Sequence, residues 1–287
     1  KHRKEETKMK IMRMQFPGGR FKALTLSYDD GVVQDIRLID IMNKNGLKGT
    51  FNINTGMYLD ENAEREKFYG RMKLSEAKKL YIDSGHEVAV HALTHPFLEQ
   101  QKPMEVVTEI MEDRKNIERE FKTIARGMAY PFGTYNDMVL EVLKNCGICY
   151  SRTVKSTEWF GLPENWLTLH PTCHHNNPRL MELAEAFVDE SFPYRKKPLF
   201  YVWGHSYEFD NNDNWNVIEE FAKFMGGREN IWYATNIEIY DYVEAYHRLI
   251  FSADGTSIYN PSSTQVYFSL DGKIYSVAPG AKCQIHS

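Results

Sequence analysis

Apolar positions along the chain switch repeatedly between two periods. From Phe21 onward, short β-prone runs alternate with stretches whose hydrophobic residues recur at helical spacing. Ala23-Leu24-Thr25-Leu26-Ser27 reads as a strand, and Asp35 to Asn45, with Ile36, Ile39 and Met42 or Leu38 in step, reads as a helix stopped by Gly46. The order then repeats. Strands are predicted at Gly49–Ile53, Glu87–Val90, Gly127–Tyr130, Ile148–Val154, Trp166–Leu169, Leu199–Trp203 and Ile231–Ala234. Helices are predicted at Leu74–Ser84, Pro103–Phe121, Asn136–Asn145, Leu180–Glu190, Trp215–Phe224 and Asn236–Arg248. Seven or eight βα units imply an α/β fold with a parallel sheet, and so many in one domain favour closure into a (β/α) barrel over an open doubly wound sheet.

After Ile250 the texture changes. Ser257–Tyr259, Thr264–Leu270 and Lys273–Val277 alternate apolar and polar residues, and Asp271-Gly272 stands as a two-residue hairpin turn. The expected organisation is an N-terminal extension (1–20), a barrel domain (21–249) and a small C-terminal β appendage (250–287). The 287 residues, 42% hydrophobic and 26% charged, suit one large domain with a real core. A net charge of -4 argues against nucleic acid as partner, because phosphate binding requires a basic surface. No apolar run reaches membrane-spanning length, and the charged start Lys1-His2-Arg3-Lys4 lacks the apolar stretch of a secretory signal. Four scattered cysteines make no disulfide framework, so a reducing, cytoplasmic setting is the expectation.

In such a barrel the carboxyl ends of the strands converge on one face, so the polar residues following each strand carry the candidate chemistry. Tyr28-Asp29-Asp30-Gly31 runs a strand into two adjacent carboxylates that point different ways, one free to bind a cation and the other to stay unligated; the bland alternative is a helix-capping Asp-Gly turn. His91 and His95, four apart after Val88-Ala89-Val90, would share a face if the chain coils through one helical turn. With Asp30 they make a two-imidazole, one-carboxylate set that leaves room for water and substrate, as catalytic rather than structural metal sites do. His205, after Leu199–Trp203, is placed to supply a proton across the barrel mouth from Asp29, or else to cap a helix. His174 and His175 follow the strand predicted at Trp166–Leu169, as substrate contacts or as a solvated loop. Cys146-Gly147-Ile148-Cys149 has redox or zinc spacing but reads as packing around a helix-to-strand turn.

Taken in order, Thr25-Leu26-Ser27-Tyr28-Asp29-Asp30-Gly31, Gly85-His86-Glu87-Val88, His91-Ala92-Leu93-Thr94-His95-Pro96, Tyr130-Pro131-Phe132-Gly133 and Trp203-Gly204-His205 resemble the polysaccharide deacetylase family, carbohydrate esterases with a NodB homology domain. The resemblance spans Phe21 to Arg248. It implies a deformed (β/α) barrel and a metal-dependent hydrolase that removes acetyl groups, N-acetyl before O-acetyl, from a carbohydrate. It further implies Asp29 as catalytic base, Asp30, His91 and His95 as ligands of one divalent ion, zinc first among them, and His205 as general acid. Pro131 and Phe132 would form a groove wall with the Phe132 amide at the oxyanion, and Trp203 would line the acetyl methyl pocket.

Two departures accompany the resemblance. The family's wall motif commonly begins with an Arg that pairs with the catalytic Asp, and here that position is Ala129; the Asp-Trp pair that orients the acid histidine also has no match. Two other readings stand beside the main one. The same site can serve a small non-sugar amide or imide if loops such as 55–71 and 171–179 close it, and a catalytically silent carbohydrate-binding protein would bind sugar without turnover.

Overall fold

The computed structural model describes residues 12–64, 70–190 and 198–285. In chain order the strands are β1 (Met12–Gln15), β2 (Lys22–Asp29), β3 (Gly49–Ile53), β4 (Glu87–Val90), β5 (Gly127–Ala129), β6 (Tyr150–Arg152), β7 (Cys173–His174), β8 (Leu199–Gly204) and β9 (Ile231–Tyr233). The short strands β10 (Ile250–Phe251), β11 (Ser257–Tyr259), β12 (Val266–Leu270), β13 (Lys273–Val277) and β14 (Lys282–Gln284) follow. The helices are α1 (Asp35–Lys44), α2 (Leu74–Tyr81), α3 (Pro103–Phe121), α4 (Asp137–Asn145), α5 (Leu180–Val188), α6 (Tyr207–Asn211), α7 (Trp215–Met225) and α8 (Asn236–His247).

Seven parallel strands run in the order β6-β5-β4-β3-β2-β8-β7, with β9 pairing β2 off this path. Strand β2 lies at the centre, Leu26 opposite Gly49 on one side and Val202 on the other, and all eight of its residues are buried. A parallel strand covered on both faces has no solvated side, so Thr25 and Ser27, which alternate with Leu24, Leu26 and Tyr28, are buried as well. Amphipathic helices supply the cover. In α7 the buried residues Trp215, Ile218, Phe221, Ala222 and Met225 recur every three or four positions, and truncating one of the large ones should cost about 3–5 kcal/mol.

Trp166–Leu169 is not the expected strand. Trp166–Thr168 is a single 3-10 turn because the Asn165 side chain accepts from Leu167 N and tightens it, and Leu169 alone bridges Arg152. The chain reaches its strand four residues later at β7, which pairs with β8. The sheet is thus a curled, deformed barrel, as expected.

By internal packing the described chain forms two compact units: residues 23–228 with 233–240, and 12–22 with 229–232 and 241–285. In the second unit β12 pairs antiparallel with both β1 and β13, so the N-terminal strand and the tail share one sheet. Asp271 and Gly272 both take positive φ in the β12–β13 turn, as the predicted two-residue hairpin requires. Val266, Phe268, Val277 and Ile258 make its small core. Among the described residues, no helix is long and apolar enough to cross a membrane.

Candidate active site

The carboxyl ends of β2, β4, β6, β7 and β8 gather five imidazoles and three carboxylates in the first unit. Asp29 ends β2, and Asp30 follows it with φ 84°, a left-handed turn that sends the two carboxylates in different directions. Asp29 is buried and held from both sides. Asn52 donates to its Oδ1 at 2.8 Å, and the wholly buried guanidinium of Arg152 pairs with Oδ2. Burial alone would raise the Asp29 pKa, but Arg152, with His91 and His205 nearby, outweighs it and holds the carboxyl below its usual range.

His91 and His95 meet without the helical turn expected of them. Residues 91–95 form an irregular loop in which Ala92 and His95 take positive φ, 63° and 59°, and the two rings come to lie edge to face with centroids 4.8 Å apart. Asn54 fixes this loop by donating to the carbonyls of His91 and Ala92. Asp113, buried on α3, accepts from His91 N and from Thr55 N and Oγ1. Its pKa is pushed up to about 7, burial outweighing those hydrogen bonds.

Ligand-capable atoms of Asp30, His91 and His95 lie within 4.8 Å of one another. His91 Nδ1 is 2.8 Å from the Ala129 carbonyl, which can only accept, so Nδ1 carries the proton and Nε2 keeps its lone pair. That is the tautomer a metal ligand needs. Burial pushes the His91 pKa down to about 4, which keeps the ring neutral. Arg71 pairs with Asp30 Oδ1 at 3.0 Å and with its backbone carbonyl, the kind of outer contact that holds a ligating carboxylate in place. This donor set fits a divalent ion with open positions.

His205 faces the site from β8, its Nε2 3.9 Å from Asp29 Oδ2 and its Nδ1 3.4 Å from Glu208 Oε1. Burial lowers its pKa, but Glu208, Asp29 and Asp30 together raise it above the usual value. Glu208 also stands 3.1 Å from the Nε2 atoms of both His174 and His175, and its carboxyl is held far below the usual range because these imidazoles outweigh its desolvation. Trp203 is buried beneath Arg152, whose guanidinium lies 4.4 Å from the ring centroid.

Pro131 is buried and Phe132 is exposed with φ 57° in the turn after β5. The Phe132 ring stacks on Phe97 at 3.8 Å and 10° and packs edge to face on His95. Phe97 and Phe132 remain 40% and 48% exposed, so an aromatic shelf borders the triad. Residues 65–69 of the loop expected at 55–71 lie outside the described residues. All four cysteines are free, and Cys146 is buried at the end of α4.

Sequence reasoning therefore placed Asp29, Asp30, His91, His95, His174, Trp203, His205, Pro131 and Phe132 on one face, and the fold brings them together. It missed Arg152, Asn52, Asn54, Arg71, Asp113 and Glu208. Two signals pointed to some of these: Arg152 is a charge within a predicted strand, and Asn52 and Asn54 flank Ile53 at the end of β3.

A curled parallel sheet with this cluster at its carboxyl ends defines a deformed (β/α) barrel. The polysaccharide deacetylase family model matches residues 18–151, the same family that the motifs resemble. A chitooligosaccharide deacetylase from Bradyrhizobium sp. (strain ANU 289) is 25% identical over 150 residues, 50% of this chain and 59% of that protein, so the chain spans about three-fifths of this relative. Two solved structures share the fold. A family 4 carbohydrate esterase from Streptomyces lividans in complex with acetate has a TM-score of 0.50 at 17% identity, covering 74% of this chain and 92% of the other. An inferred polysaccharide deacetylase from Mycobacterium smegmatis has a TM-score of 0.57 at 14% identity, covering 81% and 93%.

Proposed function

We propose that this chain is a metal-dependent hydrolase that removes acetyl groups, N-acetyl before O-acetyl, from a carbohydrate. The observation that carries the reading is the convergence of Asp30, His91 and His95, with His91 in the ligand tautomer, beside a carboxylate that stays outside the triad. The family match and the relative named for chitooligosaccharides support an acetylated amino sugar as the substrate class.

Asp30, His91 and His95 would hold one divalent ion, zinc first among them. When bound it supplies polarisation of the acetyl carbonyl and a water made more acidic, its pKa falling to roughly 7–9. Asp29 takes the proton from the attacking water. Its grip by Asn52 and Arg152 keeps it ionised and aimed, so it is ready to accept without first losing a proton. The Phe132 amide is the donor assigned to the developing oxyanion, a kind of contact whose loss typically costs on the order of a hundredfold in rate. His205, protonated through its carboxylate neighbours, gives its proton to the nitrogen as the C–N bond breaks, because an amide anion does not leave unaided. Acetate and a free amine result. Trp203 would line the methyl pocket, while the Phe97–Phe132 shelf offers a flat apolar face to a sugar ring.

Acetate release from acetylated chito-oligomers and other acetylated glycans, run beside small amides and imides, tests this reading. Turnover of the glycans that is abolished by chelation and restored by zinc supports it. Turnover of small amides alone transfers the site to the other hydrolase class, and sugar binding without any turnover makes the chain a binding protein.

A further inference from the structure

We propose that Glu208, flanked by His174 and His175, is a positioning residue that holds His205 in its proton-donating orientation, and that this second histidine–carboxylate cluster is a clamp of imidazoles on a carboxylate rather than a second metal site. The inference rests on His205 being the general acid.

Glu208 sits in the first turn of α6, three residues after His205. Its carboxylate has about four acceptor positions, and four nitrogens face it. Oε2 meets His174 Nε2 and His175 Nε2 at 3.1 Å each and accepts the His205 backbone N–H at 3.3 Å; Oε1 faces His205 Nδ1 at 3.4 Å. With Nδ1 turned to this carboxylate, the other ring nitrogen of His205 lies 3.9 Å from Asp29 Oδ2.

Tautomers separate this cluster from the metal triad. His174 Nδ1 accepts from Asn176 N at 3.1 Å, so its proton sits on Nε2, the atom turned to Glu208, and no lone pair is left there for a cation. His175 is fully buried, stacked on Phe209 at 4.2 Å, with Nδ1 packed so tightly on Gly204 that a Cβ at that glycine would lie 2.0 Å away. Its Nε2 is therefore the nitrogen directed at Glu208. The β7–β8 ladder sets this arrangement, since His174 pairs with Trp203 and His175 N donates to the Trp203 carbonyl. Neighbouring Asp35 accepts from Ser206 Oγ and Tyr81 Oη, fixing the residue after His205 as well.

Imidazole ¹⁵N NMR of the full zinc-loaded chain tests the proposal without depending on turnover, with His205 assigned by the loss of its signals in His205→Gln. The groups facing His205 are Asp29 at the end of β2 and Asp30 after it, Glu208 and Tyr207 on α6, and His174 on β7. In the parent, His205 should show an Nδ1–H tautomer; in Glu208→Gln that tautomer preference should be lost and its titration should move to lower pH. His174→Ala should give a smaller fall in the same direction while leaving the fold intact by circular dichroism. Where turnover is measurable, Glu208→Gln should lower kcat by roughly 10–100-fold with KM within about twofold, by analogy with lost outer-shell partners. Elemental analysis should give one metal per chain in parent and Glu208→Gln alike. Unchanged His205 titration and tautomer in Glu208→Gln, or two metals in the parent falling to one in that variant, would overturn the proposal. Absence of acetate release with the NMR shifts intact would instead count against the deacetylase reading and leave the clamp standing.

Discussion

Asp30, His91 and His95 on one side of the site, and Glu208, His174 and His175 on the other, are built from the same kinds of side chain, with ligand-capable atoms within 4.8 Å in each set. Composition and spacing do not tell them apart. What differs is the partner of the far ring nitrogen: a carbonyl at His91 Nδ1 and a backbone N–H at His174 Nδ1. The first leaves a lone pair facing the carboxylate, the second a proton. One imidazole–carboxylate cluster is thereby suited to a cation and the other to holding a carboxylate, a distinction of where one proton sits on His91 and on His174.

The sharpest way to break this comparison is to remove one histidine from each cluster. His91→Ala should strip the metal, measured by elemental analysis, and reduce acetate release by about a thousandfold or more, whereas His174→Ala should keep one metal per chain. Retention of the metal by His91→Ala would remove the basis for treating the clusters as different. Next in size is Arg152→Ala. It leaves Asp29 buried beside no guanidinium, and since breaking a buried ion pair typically costs about 3–5 kcal/mol, urea unfolding should show a loss of that order. A loss near zero would mean water reaches Asp29 and the pair is not buried in solution.

A smaller effect concerns pH. His205 has a raised folded-state pKa, so its protonated form persists above 6.5 and is lost as pH rises through that higher value. If its proton is needed by the leaving amine, kcat/KM should fall on the alkaline side at a pH above 6.5. An alkaline limb below 6.5 would contradict the environment described. The smallest expected change is Phe97→Ala, which takes one ring from the shelf. Stacked aromatic pairs contribute about 0.5–1.5 kcal/mol, so KM for an acetylated oligomer should rise up to about tenfold with kcat little changed. An unaltered KM would place the sugar elsewhere.

Much of the site was legible because its chemistry sits directly after apolar strands. Val88-Ala89-Val90 announces His91, and Leu24 to Tyr28 announces Asp29 and Asp30. The geometry between them was less legible: four-residue spacing suggested a helical turn, but Asn54 and Asp113 hold an irregular loop whose left-handed residues achieve the same meeting of rings. Ala129 lacks the guanidinium expected for Asp29, and the fold supplies one from β6, the strand paired with β5 at Ala129 opposite Arg152. The strand expected at Trp166–Leu169 failed for a local reason, the Asn165 side chain closing a turn that β-prone residues alone did not reveal.

By itself the sequence determined which donors stand at which strand ends, because the carboxyl ends of parallel strands share one face and the polar residues that follow each β-prone run therefore lie on it. Only the tertiary structure decided where protons and counter-charges reside. Hydrogen bonds and ion pairs act across about 3 Å, and the register of the sheet, not distance along the chain, sets which groups come that close: Arg152 to Asp29, the Ala129 carbonyl to His91 and the β7 histidines to Glu208.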